Sequence, residues 1–320
     1  MQGFVKSMED KVMDGQSVSF NEAMQLAQTE HSESLFASAD RIREKYRGNR
    51  IDLCTIMNAK SGKCSENCRF CAQSSHYPTG VKEYALISLD KVLEMARRAE
   101  REGVHRFSLI TSGECLLEAD FDKVADMIEI LKHETKLKLC ASLGSVSVNQ
   151  ALKLKAAGLS MYHHNIETSQ DHFNAICDTH SYEDRVTTVN NVISAGLEPC
   201  TGGIIGLGEH MEQRVKMAFE IREMGVKSIP INILTPIPGT PLENMEKLDP
   251  IVILRTISVF RFVIPDASLR FAAGRNALGK LQHKGFRAGI SAVMVGNFLT
   301  TPGNRISDDI EMIKETGFVV

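Results

Sequence analysis

Three closely spaced cysteines near residue 70 are the feature of this 320-residue chain that most directly indicates chemistry. Cys64, Cys68 and Cys71 are spaced C-x3-C-x2-C. Thiolates at this spacing can surround one metal centre, and soft sulfur ligands select zinc, copper or iron–sulfur clusters. A structural zinc ion needs a fourth ligand, for which His76 is the nearest candidate. Three ligands on a four-iron cluster would instead leave one iron open to a substrate or cofactor.

Composition and charge exclude several classes of function. Lys and Arg number 37 and Asp and Glu 40, so the net charge of -3 supplies no basic field for nucleic acid or an anionic membrane surface. No apolar run approaches the roughly 20 residues that span a bilayer, and the first residues lack the apolar centre of a signal peptide. We therefore expect a cytoplasmic protein. In a reducing compartment, its eight cysteines are more often metal ligands or catalytic thiols than disulfides.

From Ile51 onward, short β-prone runs alternate with amphipathic helical stretches, which predicts a parallel β/α fold. One such helix is predicted at 88–103 and ends in glycine. Eight runs over this length fit a (β/α)8 TIM-type barrel. An open, doubly wound sheet is the alternative fold, although neither a G-x-G-x-x-G turn nor a Walker A sequence supports it. The predicted strands are 51–57, 105–111, 137–143, 159–166, 197–205, 228–234, 268–274 and 290–296.

The pattern divides the chain into three parts. Residues 1–50 form an N-terminal helical extension, with helical periodicity at 20–30 and 34–48. Residues 51–300 form the barrel, and 301–320 a C-terminal tail. Active-site groups of such barrels lie at the carboxyl ends of the strands, and the cysteine triplet follows the first predicted strand.

The triplet, with the aromatic Phe70 directly before its third cysteine, resembles the signature of the radical S-adenosylmethionine enzymes. The resemblance implies that Cys64, Cys68 and Cys71 bind a 4Fe-4S cluster. Its open iron would take the amino and carboxylate groups of S-adenosylmethionine, and one electron would cleave the sulfonium to a 5'-deoxyadenosyl radical. The protein's part would be to orient these groups and exclude water.

Further stretches along nearly the whole chain resemble the biotin synthase family: SGKCSENCRFCAQSS, HNIETS, CTGGIIGLGE, PINIL with PGTPL, RFAAGR and GNFLTT. This resemblance implies conversion of dethiobiotin to biotin with sulfur from an auxiliary iron–sulfur cluster, a low-potential donor such as flavodoxin or ferredoxin, and a homodimer. One alternative is a related radical enzyme with a different substrate. Another is an iron–sulfur carrier without catalysis, which would gain nothing from a concave barrel mouth.

The resemblance also assigns residues around the cofactor and substrate. Asn165 and Asn232 match side chains that hydrogen-bond the substrate, and Arg185 matches a contact to the S-adenosylmethionine carboxylate. Glu167 stands where the family usually has Asp, at a ribose contact. Asn165 is also counted among the cofactor contacts.

Two glycine-containing loops complete the predicted cofactor site. Glu114, in TSGEC, resembles a contact to the methionyl amine, although a helix-starting acid is an equal interpretation. Gly202 and Gly203 lack side chains and would let the backbone approach the cofactor closely.

One departure from the family concerns the auxiliary cluster. Cys140, Cys200 and Arg270 match three of its four ligands, but Ser108 occupies the fourth position. Barrel interiors form layers of four side chains from alternate strands, and Cys54 would complete such a layer from strands 1, 3, 5 and 7. We hypothesise that these four residues hold an auxiliary cluster of either four irons or two, and that their wider, more symmetric arrangement favours four. Arg270 is either a ligand or a charge partner.

The remaining histidines and cysteines receive weaker interpretations. His163 stands where the family has Asn and is followed by His164. Since adjacent strand residues face opposite sides, at most one of the pair should point into the barrel. Cys177 is interpreted as structural, and Cys115 as a fallback ligand.

Overall fold

A closed parallel barrel forms the centre of the fold in the computed structural model, which describes residues 2–320. Neighbouring strands follow the order β5-β4-β3-β2-β1-β9-β8-β7-β6, and β5 also pairs with β7. The segments β5 and β6 therefore share one of eight positions in the wall. The predicted barrel is confirmed, and the open sheet is wrong. The strands are β1 Asp52–Lys60, β2 Arg106–Thr111, β3 Lys138–Ser142, β4 Met161–His163, β5 Glu198–Cys200, β6 Gly203–Ile205, β7 Ser228–Ile233, β8 Ser268–Phe271 and β9 Ala292–Met294.

The fifth wall position is interrupted where one continuous strand was predicted over 197–205. Cys200 pairs with Ser228, and the next pairing with β7 starts at Gly203. Between them, a Cβ on Gly202 would lie 1.9 Å from the carbonyl oxygen of Pro230. The two chains thus approach too closely for a side chain at this point, and the interruption lies directly beside Cys200.

Helices surround the barrel and precede it. Three of them begin with capping boxes, in which Ser19, Ser147 and Ser181 accept from the third helical N–H. They are α1 Gln2–Met13, α2 Phe20–Ala27, α3 Ser32–Arg47, α4 Leu89–Arg101, α5 Glu118–Glu134, α6 Val148–Ala156, α7 Gln170–Phe173, α8 Tyr182–Ser194, α9 Met211–Glu223, α10 Pro250–Val263, the 3-10 helix Arg275–Leu281, α11 Gln282–Arg287 and α12 Ile306–Glu315. Within residues 2–320, no helix has the length and hydropathy of a membrane span.

Both ends of the chain pack against this framework. Helix α1, for which the sequence showed no separate periodicity, buries Val5 and Val12 and packs on α3. At the other end, the backbone of Val319 pairs with Arg50, immediately before β1. Residues 301–320 therefore include α12 and a bridge to the barrel, rather than an extended tail. The division at 50 and 300 stays a prediction.

Candidate functional site

A cavity of about 350 Å³ lies at the carboxyl ends of the strands. Its walls include the last residues of several strands, such as Thr111, Ser142 and Met294. Most predicted site residues line it: Cys64, Cys68, Cys71, Glu114, Asn165, Glu167, Arg185 and Asn232. The barrel thus brings together side chains that are up to 168 positions apart in the sequence.

The loop after β1 presents the three clustered cysteines to this cavity. Gly62 and Lys63 adopt positive φ angles of 77° and 52° and turn the chain away from the strand. Backbone bonds then close the loop on itself, from Cys64 N to Gln73 O (3.0 Å) and from Cys71 N to Cys68 O (2.9 Å). Burial raises the pKa of Cys71 to about 11, so metal binding must displace its proton.

The zinc interpretation needed His76 as a ligand beside these thiols. The structure instead places its Nε2 2.8 Å from the carbonyl oxygen of Ser65, on the exposed side of the loop. His76 is exposed and, unlike the three cysteines, does not line the cavity, so the structure does not place it on the side of the loop to which the thiols open. The triplet is left with three thiols and an open side facing the cavity.

A fourth thiol, that of Cys177, lies against the triplet and next to the imidazole of His180. The sequence predicted no functional role for either residue. The Sγ atoms of Cys68 and Cys177 are 3.8 Å apart, and Cys177 Sγ is 3.3 Å from His180 Nδ1. The Cys68 thiol donates its hydrogen to Cys177, which raises the pKa of Cys68 and lowers that of Cys177. Cys177 was interpreted as structural because a separation of 109 residues leaves no local signal.

The potential ligand atoms of Cys68, Cys177 and His180 lie within 4.8 Å of one another, as a mononuclear metal site would require. The hydrogen bonds argue against such a site. Arg185 Nε, which can only donate, lies 3.1 Å from His180 Nε2. His180 Nε2 is thus the acceptor, and Nδ1 carries the proton and offers no lone pair to a metal.

Asn165, Glu167 and Arg185 also line the cavity, where Arg185 lies against the imidazole of His180. Arg185 Nη1 donates to the carbonyl oxygen of Asn165 (3.0 Å) and lies 3.7 Å from Glu167 Oε1. Glu167 has a positive φ of 67°, unusual for a residue with a side chain. This backbone conformation and the arginine together orient the carboxylate.

Backbone groups hold the two asparagines on either side of the interrupted wall position. Asn165 Oδ1 accepts from Gly202 N (3.2 Å), and its amide nitrogen donates to the side-chain oxygen Oε2 of Glu167 (3.3 Å). Asn232 Oδ1 accepts from Ala273 N (3.1 Å), and its amide nitrogen donates to Gly203 O (3.2 Å). Each amide can form two further hydrogen bonds, and both line the cavity.

Gly202 and Gly203, predicted to let the backbone approach a cofactor, are not among the residues that line the cavity. A Cβ on Gly203 would lie 2.4 Å from the carbonyl oxygen of Glu167, and Gly202 faces Pro230 in the same way. The absent side chains therefore make room for the backbones of Pro230 and Glu167. The cofactor contact of the two glycines stays a prediction. Glu114 lines the cavity from an exposed loop, where its carbonyl oxygen accepts from Ser145 N (2.7 Å).

Below the cavity, Cys54, Cys140, Cys200 and Arg270 are all buried. They come from β1, β3, β5 and β8, which are the first, third, fifth and seventh wall positions. Arg270 Nη2 lies 2.8 Å from Asp52 Oδ2. Ser108 is also buried and is paired with Cys140 across neighbouring strands.

The pKa values of these thiols reflect a shared electrostatic environment. Burial raises the pKa of Cys54 to about 11 and raises that of Cys140, partly against the positive charge of Arg270. Burial also acts on Cys200, but His163, Arg270 and the hydroxyl of Ser228 outweigh it and lower the pKa. Cys200 is thus the thiol of this group most readily deprotonated.

Both histidines of the adjacent pair line the cavity, so the expectation that at most one would do so is wrong. His163 is the last residue of β4 and is paired with Cys200, whose thiol raises the pKa of the imidazole against the effect of burial. His164 lies beyond the strand end, where side chains no longer alternate. Its buried Nε2 has no partner among the described residues. Cys115 is exposed, with its sulfur 3.6 Å from Glu114.

Two family models match successive parts of the chain. Residues 59–221 match the Radical SAM superfamily, and residues 230–319 match the Biotin and Thiamin Synthesis associated domain. Biotin synthases of Acetivibrio thermocellus and Clostridioides difficile are similar at 57% and 49% identity, each covering 99% of both chains.

Solved structures support the fold. Methylornithine synthase superimposes with a TM-score of 0.85 at 20% identity, covering 98% of this chain and 96% of its own. The FeFe-hydrogenase maturase of Carboxydothermus hydrogenoformans superimposes with a TM-score of 0.82 at 15% identity, covering 98% of this chain and 78% of the maturase.

Proposed function

Because the chain belongs to the biotin synthase family within the radical S-adenosylmethionine superfamily, we propose that it inserts sulfur into dethiobiotin to form biotin. The observation that carries this proposal is the stacking of two thiol sites in one barrel. One site opens to the cavity at Cys64, Cys68 and Cys71, and a second is buried beneath it. Sulfur insertion needs both a radical source and a sulfur source, and the cavity between them is where a substrate could meet both.

The cysteine triplet fits a 4Fe-4S cluster with an open iron. It supplies three thiols on a loop facing the cavity, which His76 does not line. With S-adenosylmethionine bound, such a cluster supplies a carbon-centred radical that removes hydrogen from unactivated carbons. The chain's part is to hold the cofactor and to keep water from it.

Three side chains are suited to bind S-adenosylmethionine. Arg185 faces the cavity beside His180 and Glu167, where its remaining N–H groups can donate to the cofactor's carboxylate. Glu167 can accept from the ribose hydroxyls, since its longer side chain still ends in a carboxylate. Glu114 also lines the cavity and is proposed to contact the methionyl amine. Asn165 is proposed to contact both cofactor and substrate, and backbone groups of Gly202 and Gly203 hydrogen-bond the two asparagines.

Asn165 and Asn232 are suited to bind the ureido group of dethiobiotin. A ureido group has two N–H donors and one carbonyl acceptor, and each asparagine retains about one donor and one acceptor for it. Because the backbone fixes both amides, they are oriented before the substrate arrives, which reduces the entropy cost of binding.

The buried thiols Cys54, Cys140 and Cys200 fit an auxiliary iron–sulfur cluster, whose role would be to supply sulfur. None of the three forms a disulfide. Ser108 occupies the position of one family ligand, and Cys54, on a different strand, restores the number of ligands. We propose that these thiols hold a four-iron cluster. Metal ligation would require Arg270 to lose a proton, but Asp52 and the thiols raise its pKa against the effect of burial. We therefore assign Arg270 as a charge partner that donates hydrogen bonds.

The remaining assignments follow from the family. A low-potential donor such as flavodoxin or ferredoxin would reduce the cluster, the active form would be a homodimer, and the enzyme would act in the cytoplasm.

The test is an anaerobic assay of the reconstituted chain with dethiobiotin, S-adenosylmethionine and a low-potential reductant. We expect biotin and its thiol intermediate, detected by mass spectrometry. If 5'-deoxyadenosine forms while dethiobiotin is unchanged, the substrate assignment is wrong and a related radical enzyme remains. If neither forms, the chain is a carrier.

A further inference from the structure

The sulfur of Cys68 is one end of a series of hydrogen-bonding groups that reaches Arg185. The contacts are Cys68 Sγ to Cys177 Sγ at 3.8 Å, Cys177 Sγ to His180 Nδ1 at 3.3 Å, and His180 Nε2 to Arg185 Nε at 3.1 Å. We propose that Cys177 donates a hydrogen bond to the cluster-bound sulfur of Cys68. His180 holds this donor in place and connects it to Arg185.

The direction of the Cys177 hydrogen follows from the other contacts of its sulfur. Asn67 Oδ1 is 3.4 Å away but already accepts from the backbone N–H groups of Asp178 (2.9 Å) and Thr179 (3.3 Å). These two donors occupy both of its lone pairs. Thr179 Oγ1 is 3.5 Å from the same sulfur, donates to Glu66 Oε2 and accepts from Asn67 N, which leaves it one neutral lone pair. Once Cys68 has lost its own hydrogen to bind iron, its sulfur carries negative charge and is the stronger acceptor for the Cys177 hydrogen.

His180 fixes the orientation of Cys177. Because Arg185 donates to Nε2, the ring carries its proton on Nδ1, which faces Glu66 Oε2 at 2.5 Å and Cys177 Sγ. Phe173 packs edge-on against the ring, with centroids 5.6 Å apart. The imidazole is thus held from three sides, and its Nδ1–H is donated mainly to Glu66 Oε2. Because Nδ1 carries a hydrogen, it cannot accept one from the Cys177 sulfur 3.3 Å away, and the thiol hydrogen can point toward Cys68.

Such a contact matters because hydrogen bonds to ligating sulfurs raise the reduction potential of iron–sulfur clusters. Cys68 and Cys177 are both buried, and a low local dielectric strengthens the interaction. Cys177 would therefore make the cluster easier to reduce. Through His180, the same series of contacts reaches Arg185, which is proposed to bind the S-adenosylmethionine carboxylate. This last link rests on the proposed function.

The test compares Cys177→Ala, which removes the donor, with Cys177→Ser, which keeps one. Cys115→Ala is the matched control, because its thiol is exposed and contacts Glu114 instead. Each full chain is reconstituted anaerobically, its iron and sulfide are counted, and the cluster is titrated with a redox mediator under electron paramagnetic resonance. Should Cys177→Ala fail to take up its cluster, Cys177→Val replaces it, since valine fills the space without a donor.

We expect the midpoint potential to become more negative in Cys177→Ala, less so in Cys177→Ser, and to stay unchanged in Cys115→Ala. Equal potentials in the wild type and Cys177→Ala would overturn the proposal. In His180→Phe, we expect the spectral change caused by S-adenosylmethionine to be smaller than in the wild type, and an undiminished change would remove the link to Arg185. The potentials are measured without substrate, so they are independent of whether dethiobiotin is converted.

Discussion

The carboxylate of Asp52 and the guanidinium of Arg270 form a 2.8 Å ion pair, although β9 separates their strands in the barrel wall. The same carboxylate oxygen accepts from Arg106 Nε at 2.9 Å. Burial alone would raise the pKa of Asp52, but the charges and hydrogen bonds of Arg270 and Arg106 lower it. Asp52 therefore stays ionised and holds Arg270 beside the buried thiols.

Removing this carboxylate should destabilise the barrel. In Asp52→Asn, the buried Arg270 loses its counter-charge, and we expect the free energy of unfolding to fall by about 2 kcal/mol. Urea unfolding of the cluster-free chain measures this. The control is Asp266→Asn, whose carboxylate pairs with Lys227 at the surface and should contribute less than about 0.5 kcal/mol. Similar losses in both variants would show that Asp52 does not anchor Arg270.

Iron content tests the assignment of Cys54. If Cys54 is a ligand of a four-iron auxiliary cluster, the reconstituted wild type should hold about eight irons, and Cys54→Ser about four, because one cluster is lost. Cys115→Ser serves as the control and should match the wild type. About six irons in the wild type would indicate a two-iron auxiliary centre, and an unchanged content in Cys54→Ser would make Cys54 a buried core residue.

Asn232→Ala should weaken substrate binding. The loss of about 1 to 3 kcal/mol of hydrogen bonding predicts a rise of about 5- to 150-fold in KM for dethiobiotin. Cleavage of S-adenosylmethionine without substrate should continue, since Asn232 contacts the backbone of Ala273 and Gly203 rather than the cysteine loop. Asn191→Ala, which removes a bond to Val146 O away from the cavity, controls for folding. An unchanged KM in Asn232→Ala would argue against the ureido contact.

Glu9 should make stability depend on pH. Burial would raise its pKa, but Arg41 and Ser38 hydrogen-bond the carboxylate and lower the pKa from 4.5 to about 2. A lowered pKa stabilises the fold fully above about pH 4.5, and this contribution is lost as the pH falls toward 2. Because Arg41 is half exposed, we expect a loss of about 1 kcal/mol between pH 6 and pH 3.

The measurement is urea unfolding of the cluster-free chain at both pH values. Glu9→Gln should be less stable than the wild type at pH 6 and should approach it at pH 3. Glu33→Gln is the control, because Glu33 is 77% exposed. A constant difference between Glu9→Gln and the wild type at the two pH values would contradict the assignment.

A methyl group at Gly202 should be poorly tolerated. Its Cβ would lie 1.9 Å from Pro230 O, so β5, β6 and β7 must move apart, and we expect a loss of about 2 kcal/mol or more. Gly3→Ala, in α1 with open space around it, should instead stabilise the helix by about 0.5 to 1 kcal/mol. Thermal unfolding of the two variants should give shifts of opposite sign.

The sequence predicted the barrel well because each strand is marked locally. The run 105–111 contains β2 almost as the structure has it, and Cys54, Cys140 and Cys200 lie on alternate wall positions as predicted. Their role as one ligand layer stays a prediction. Contacts that depend on loop geometry were not predictable. Cys177 reaches Cys68 only because the segment after α7 folds back onto the cysteine loop, where Arg69 N bonds Ile176 O at 2.9 Å. The prediction for His163 and His164 was wrong for a related reason. Side chains alternate only as far as the strand extends, and His164 lies beyond the end of β4.

The pairing of β1 with β9 also bears on when the chain can receive iron. Asp52 faces Ala292 in this pair, so the partner of the first strand is translated about 240 residues later. At ribosomal speeds of about 5 to 20 residues per second, this delay is about 12 to 48 seconds. During that time the cysteine loop, which follows β1 directly, emerges without the wall that later encloses it. Its thiols are then exposed to oxidants and to competing metal ions. We therefore expect iron to be delivered after β9 has been synthesised.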